Sequence, residues 1–196
     1  MQLIPLLNSV RLCTLCKQHL PLPPNPVVQI HEAAKILIIG QAPGLKVHES
    51  GIAWNDQSGD RLRDWLGVDK STFYDDKVFA IMPMGFCYPG KGNSGDLPPR
   101  KECAPQWHEA LLNHLPNIQL ILLIGQYSQN YYLKGTDFHK NHKSLTEKVQ
   151  QQSSSLGRYF LLPHPSPRNQ IWLKKNPWFE KKVVAKLKQK ITGLLT

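Results

Sequence analysis

Four cysteines are the residues of this chain best suited to metal chemistry. Cys13 and Cys16 form a C-x-x-C pair near the start of the chain, and Cys87 and Cys103 lie far downstream. In a reducing cytoplasm disulfides are rare, so four thiols in this arrangement indicate a metal or cluster site. The alternative is two unrelated pairs, with Cys87 simply buried in the core.

Two short turns rich in proline and glycine carry a second set of reactive groups. One has the sequence GQAPG at residues 40–44, and the other has HPSPRN at residues 164–169. A histidine at such a turn can act as a hydrogen-bond donor or a proton carrier near neutral pH. The alternative for His164 is a ring that only caps its own turn.

Both turns follow short apolar segments that are typical of strands buried on both faces. Such segments occupy residues 35–40, 78–82, 120–125 and 159–162, with helical patterns between them. This alternation predicts a three-layer α/β/α sandwich around a central, mainly parallel four-stranded sheet, formed by residues 1–196 as one domain. Ligands of such folds bind at the carboxyl ends of the strands. The candidate site is therefore formed by the four loops that follow the strands: residues 40–56, residues 83–95, the residues after Gly125, and residues 164–169.

Three helices are predicted with defined ends. One starts near Ser58, buries Leu62, Trp65 and Leu66 and stops at Gly67, and another runs from about Cys103 to Leu115. The last begins at Asn176-Pro177, which combines an N-cap residue with proline at the first helical position. Its apolar stripe consists of Phe179, Val183, Val184, Leu187 and Ile191.

The two turns, at these strand ends and in this order, resemble the signature loops of the uracil-DNA glycosylase superfamily. The four cysteines extend the similarity to the superfamily's iron-sulfur branch, found in bacteria and archaea. In that branch a C-x-x-C pair, a third cysteine after the second core strand and a fourth at a helix start bind a cluster. The resemblance implies a [4Fe-4S] cluster on Cys13, Cys16, Cys87 and Cys103, with structural zinc as the alternative.

The resemblance also implies roles for the residues of both turns in base flipping and glycosidic bond cleavage. His164 is expected to donate a hydrogen bond to the leaving base as charge develops on it. Trp54, which aligns with an aromatic residue of the branch, is expected to stack on the base; the alternative is a core aromatic residue. The residues expected to contact DNA are Pro43, Gly44, Ser166, Pro167 and Arg168, with Arg168 at the position of the wedge that fills the gap in the duplex.

Several positions depart from the pattern of the resembled family. Ala42 stands where the best-known uracil-specific branch has a water-activating aspartate, and Val47 and His48 replace an acidic pair of the iron-sulfur branch. Two carboxylates are candidates for activating the attacking water, Asp56 and Glu49, and the alternative for Glu49 is a solvated surface residue. The third candidate is a polarised water held by Gln41 and the backbone. Pro83 replaces an asparagine that reads the uracil edge.

No residue that reads the base edge can therefore be carried over from the resembled family. Asn55 is a substitute reader, because an amide can pair with both the carbonyl and the N–H of uracil. Ala42 completes the expected base-binding set beside Trp54.

Composition is consistent with these predictions without deciding among them. A chain of 196 residues with 41% hydrophobic and 19% charged residues is typical of a globular protein, and its formal net charge of +10 favours a polyanionic partner. We expect damaged DNA as the partner, no membrane, a monomer and a cytoplasmic location, because no signal peptide or apolar span is visible. Lys174, Lys175 and Lys181 are either phosphate contacts or a solvated helix face.

The expected substrate is a flipped-out damaged base, with uracil in DNA favoured over hypoxanthine or xanthine. Two other functional classes remain open: a catalytically silent nucleic-acid-binding relative, and a hydrolase of small nucleotides or nucleosides. The wedge turn and the basic C-terminal helix favour a polymeric ligand over the latter.

Overall fold

The computed structural model describes residues 2–196. Its central sheet has four strands, β1 (Ile36–Ile39), β2 (Phe79–Ile81), β5 (Leu120–Ile124) and β6 (Tyr159–Leu162). All are parallel, in the order β2-β1-β5-β6. Nearly all of their side chains are buried, because helices cover both faces of a parallel sheet. The predicted sandwich and its four strands are confirmed.

The remaining two strands form a small hairpin outside this sheet. Strands β3 (Lys91–Gly92) and β4 (Gly95–Asp96) pair antiparallel in the long loop after β2. Gly95 has a backbone φ of 154°. The hairpin was not predicted, since only a loop was expected over residues 83–95.

Ten α-helices lie among the described residues, and they connect or flank the strands. They are α1 (Leu3–Arg11), α2 (Leu45–Ser50), α3 (Gln57–Leu66), α4 (Lys70–Tyr74), α5 (Cys103–Leu112), α6 (Gln126–Tyr132), α7 (Asp137–Asn141), α8 (Leu145–Gln151), α9 (Gln170–Lys175) and α10 (Ala185–Leu195). Single turns of 3-10 helix occupy Lys17–His19, Ser154–Leu156 and Pro167–Asn169. None of the helices within residues 2–196 is long and apolar enough to cross a membrane.

Helix α3 matches its predicted bounds. The Asp56 carboxylate accepts a hydrogen bond from the Gly59 N–H and caps the helix, and Gly67 ends it in the left-handed conformation. Leu62, Trp65 and Leu66 are buried as predicted. The buried face packs against α10 and the segment before it, where Trp65 meets Phe179 edge to face.

The last helix differs from its prediction at the N-terminus. Asn176 does not cap it: its side-chain amide donates to the Trp172 carbonyl, and its Oδ1 accepts from the Trp178 indole. The helical path instead starts with a π-helical segment, Phe179–Val184, that continues into α10. These two hydrogen bonds occupy the Asn176 side chain, which is therefore not available to cap the helix. The predicted apolar stripe lies largely within the core.

Candidate active site

A cleft with a volume of about 530 Å³ opens at the carboxyl ends of the parallel strands. Each of the four strands is followed by residues that line it: Gly40 after β1, Pro83 after β2, Gln126 after β5 and His164 after β6. The volume lies within the range of small-molecule and base-binding pockets. The predicted residues in its lining are Gln41, Ala42, Pro43, Gly44, Trp54, Asp56, His164, Ser166, Pro167 and Arg168.

His164 lines this cleft, and one of its two ring nitrogens is bound by its own turn. Its Nδ1 accepts a hydrogen bond from the backbone N–H of Ser166 at 3.2 Å. In a neutral ring the proton then resides on Nε2, which makes Nε2–H a donor. Burial lowers the pKa of His164 to about 4, while the charge of Asp56 acts in the opposite direction. The ring therefore caps its own turn and keeps a neutral donor for a ligand.

Trp54 lies beside His164 in an unusual backbone conformation. The centroids of the two rings are 5.6 Å apart with an interplanar angle of 33°. Trp54 has a φ of 57°, the left-handed region that bulky side chains seldom adopt. Its ring covers Gly40, where a β carbon would lie 2.7 Å from Trp54 Cζ2. Such strain costs of order 1–3 kcal/mol and occurs mostly at functional sites.

Polar contacts hold the Trp54 backbone in this conformation. The Trp54 carbonyl accepts a hydrogen bond from the Arg63 guanidinium at 3.4 Å, and the Tyr74 hydroxyl donates to the Ala53 carbonyl at 3.0 Å. Arg63 is only 5% exposed and is paired with Asp60 at 2.6 Å. A buried charge with these partners is costly to move, so the tryptophan is firmly positioned.

Two carboxylates approach the cleft near Gly44. A β carbon on Gly44 would lie 3.5 Å from Asp96 Oδ2 and 3.9 Å from Asp56 Oδ2. Asp56 uses Oδ1 to cap α3, which leaves Oδ2 for the cleft. Glu49 is exposed and does not line the cleft, whereas Gln41 does and donates weakly to the Leu97 carbonyl at 3.4 Å.

Asp96 is a candidate functional residue that sequence reasoning missed. Burial raises the pKa of its carboxyl, with Arg168 acting against burial and Asp56 adding to it. The Arg168 guanidinium contacts Gly95 of the same hairpin. The sequence feature that could have identified Asp96 is its position beside the glycine-rich loop after β2. The predicted loop ended at residue 95, one residue before it. Further lining residues from the predicted loops, not singled out from sequence, are Ser94, Gln126, Tyr127 and Asn169.

Some predicted residues lie away from the cleft. Asn55 is exposed and does not line it, although both of its chain neighbours do. Lys174, Lys175 and Lys181 are exposed on the surface after the second turn. Exposure is compatible with either of the two functions considered for these lysines.

The sequence model of the uracil DNA glycosylase superfamily matches residues 28–188. The chain belongs to this superfamily. Members of the superfamily are DNA N-glycosylases, so DNA repair by base removal is the activity of the family and DNA its substrate. The matched residues include both turns, Trp54 and Asp56, and the whole sheet. They begin after Cys13 and Cys16, which the family match therefore leaves unassigned.

This member of the superfamily brings its four cysteines to one small cavity. Cys13, Cys16, Cys87 and Cys103 all line it. Burial raises the pKa of the Cys87 thiol to about 11 and that of Cys103 to about 12. The backbone N–H of Phe86 donates to Cys103 Sγ at 3.4 Å.

Four sulfur donors are a set that iron-sulfur clusters and zinc use in proteins. Soft thiolates select iron-sulfur clusters or zinc, and a backbone N–H directed at a sulfur stabilises its charged form. Burial raises the pKa of the Cys16 thiol, and the neighbouring Arg100 side chain acts against this rise. Within residues 2–196 no group of three His, Cys, Asp or Glu side chains is placed so that it could hold a metal ion. The four thiols supply the donors that a thiolate-bound group requires, but in this structure, which describes all four, they are not gathered around one ion site.

Proposed function

We propose that the protein is a DNA glycosylase that hydrolyses the N-glycosidic bond of a flipped-out damaged base, with uracil in DNA as the favoured substrate. One observation carries the proposal: a neutral histidine with a free Nε2–H faces the same cleft as a strained tryptophan. The pair has the chemistry to grip an extruded base and to stabilise charge on it.

His164 acts as the electrophile in this proposal. As the bond between C1′ and the base nitrogen breaks, its electrons move onto the base, and the Nε2–H of His164 donates to a carbonyl oxygen where negative charge collects. A neutral imidazole can serve as this donor, as in other enzymes in which a neutral histidine polarises a carbonyl. The low pKa of His164 keeps that form at neutral pH.

Asp56 is the proposed water-activating group, with Gln41 as a second polar contact to the water. Its free Oδ2 lies beside Gly44 at the cleft wall. A carboxylate there stabilises the cation-like sugar and accepts a proton from the water that attacks C1′. Asp56 replaces in function the aspartate whose place Ala42 occupies.

Trp54 and the two turns bind the nucleotide. Trp54 stacks on the base above Ala42, and backbone groups of Pro43 and Gly44 meet a flanking phosphate. Ser166 and Pro167 do the same on the other side, and Arg168 fills the gap left by the base. Asn55 would reach the base edge only by a change in its own side-chain conformation, since it is exposed and does not line the cleft.

The decisive assay measures base release from oligonucleotides that contain one uracil, hypoxanthine or xanthine, in single-stranded and duplex form. We expect uracil to be released fastest, and free deoxyuridine to be a poor substrate. A mock preparation from the same host without this protein, purified in the same way, controls for contaminating glycosylases. A wild type that releases no base from any of these lesions would replace this proposal with the silent nucleic-acid-binding relative.

For the cysteines we propose a [4Fe-4S] cluster of the iron-sulfur branch. The support is the convergence of all four thiols on one cavity and the N–H directed at Cys103. When bound, the cluster would tie the N-terminal segment to the loop after β2. Anaerobic purification followed by absorbance and analysis for iron, sulfide and zinc tests this. Zinc without iron would establish the tetrahedral alternative, and Cys87→Ser should lower the metal content in either case.

A further inference from the structure

The second turn contains a peptide unit that is contacted on both sides. Its N–H belongs to Ser166 and donates to His164 Nδ1 at 3.2 Å. Its carbonyl belongs to Pro165 and accepts from Arg61 Nη1 at 3.3 Å. The same Nη1 also donates to the Ser166 carbonyl at 3.1 Å. One guanidinium thus holds two successive carbonyls of the turn.

The geometry of a trans peptide links these contacts. Its N–H and C=O point in opposite directions, so an anchor on the Pro165 carbonyl directs the Ser166 N–H away from Arg61, toward the imidazole. A charged donor on the carbonyl also polarises the amide and strengthens its N–H as a donor. The protonated state of His164 Nε2 depends on this N–H, because it occupies Nδ1 as an acceptor.

Arg61 is suited to this role by its place in α3. The helix is anchored by the Asp56 cap and by the packing of its buried face, so the guanidinium extends from a rigid element. Among the described residues no carboxylate forms an ion pair with Arg61. Arg61 does not line the cleft, so it acts behind the turn.

We infer that Arg61 is a positioning residue that sets the tautomer and ring orientation of His164 through the Pro165–Ser166 peptide. The effect on base release rests on the proposed function, but the effect on the imidazole does not. In the absence of the arginine the turn loses its anchor, the Ser166 N–H no longer holds Nδ1, and both neutral tautomers become populated. The free donor toward the base is then present in only part of the molecules.

The test uses nitrogen-15 NMR of histidine-labelled protein at neutral pH, with Arg61→Gln, Arg61→Lys and wild type. The signals of His164 are identified by their loss in His164→Gln. We expect wild type to show an unprotonated Nδ1 and a protonated Nε2, and Arg61→Gln to show an average of both tautomers. Arg61→Lys keeps the charge but not the planar donor group, so its shift is smaller and in the same direction.

Arg158→Gln is the matched control, because Arg158 is exposed and its loss changes the net charge equally. On the proposed substrate, single-turnover base release by Arg61→Gln is expected to fall about tenfold, with DNA affinity close to that of Arg158→Gln. Histidine signals identical to wild type in both Arg61 variants would overturn the inference. If wild type releases no base, the NMR comparison still decides it, and if Arg61→Gln does not fold, Arg61→Lys decides by the same criteria.

Discussion

The protein places two histidines in buried surroundings that differ in one respect. His108, on α5, is 2% exposed, while His164 lies at the wall of the cleft. Burial is the largest cause that lowers the pKa of each to about 4. Both rings are therefore neutral at physiological pH, so the ionisation state does not distinguish them.

The difference lies in how many ring nitrogens the protein uses. His108 engages both: Nε2 lies 3.0 Å from the Pro83 carbonyl and Nδ1 lies 2.6 Å from the Tyr132 hydroxyl. Its ring also stacks on Phe86. Among the described residues, His164 engages only Nδ1, through Ser166. The comparison teaches that burial keeps a histidine neutral, and that an unused donor facing a cleft makes it available for chemistry.

The substitution His164→Ala is expected to have the largest effect and tests directly whether the free donor of His164 acts in base release. We expect base release to fall at least ~100-fold while DNA binding changes little, because the side chain acts on charge present only in the transition state. Single-turnover cleavage and binding of a lesion-containing oligonucleotide measure the two effects. Base release equal to wild type would refute His164 as the electrophile.

Trp54→Ala tests the other half of the cleft and is expected to have a smaller effect. Loss of a stacking surface worth ~1–3 kcal/mol weakens capture of the flipped base as well as its chemistry, so affinity for damaged DNA and rate both fall. Trp54→Phe keeps a stacking face and serves as the matched control. A rate loss with unchanged affinity in Trp54→Ala would assign the residue to the transition state alone.

His108→Ala is expected to act on stability instead. It leaves the Pro83 carbonyl and the Tyr132 hydroxyl without their partner in a buried region, at a cost of about 1–3 kcal/mol in the free energy of unfolding. Urea denaturation measures this loss, with His114→Ala as control, since no side-chain hydrogen bond of His114 occurs among the described residues. A stability equal to that of the control would show that the two contacts contribute nothing.

A further effect concerns pH and follows from the same two residues. An unfolded histidine titrates near 6.5, so between that pH and about 4 the unfolded chain binds protons that the folded chain excludes. The free energy of unfolding therefore falls as the pH falls through this window, and the contribution is fully present above it. Denaturation curves across this range are expected to show a shallower slope in His108→Ala than in wild type. Equal slopes would mean that His108 titrates normally.

Much of the architecture was predictable from local pattern. The four strands appear as short apolar runs, and α3 as an apolar-patterned segment that ends at a glycine, because burial on both faces and helix termination both act over a few residues. The ligand cleft at the strand ends follows from the parallel sheet alone. The beginning of the last helix was not predictable, since it depends on Trp172 and Trp178 binding the side chain of Asn176.

By itself the sequence determined the four strands of the central sheet, helix α3, the two turns at strand ends and therefore the superfamily. Only the tertiary structure decided that the donor of His164 is free, that Trp54 is held in a left-handed conformation by Arg63, and that Asp96 joins Asp56 beside Gly44. The physical reason is distance along the chain: these contacts depend on long-range packing, and on side-chain directions that no local pattern encodes.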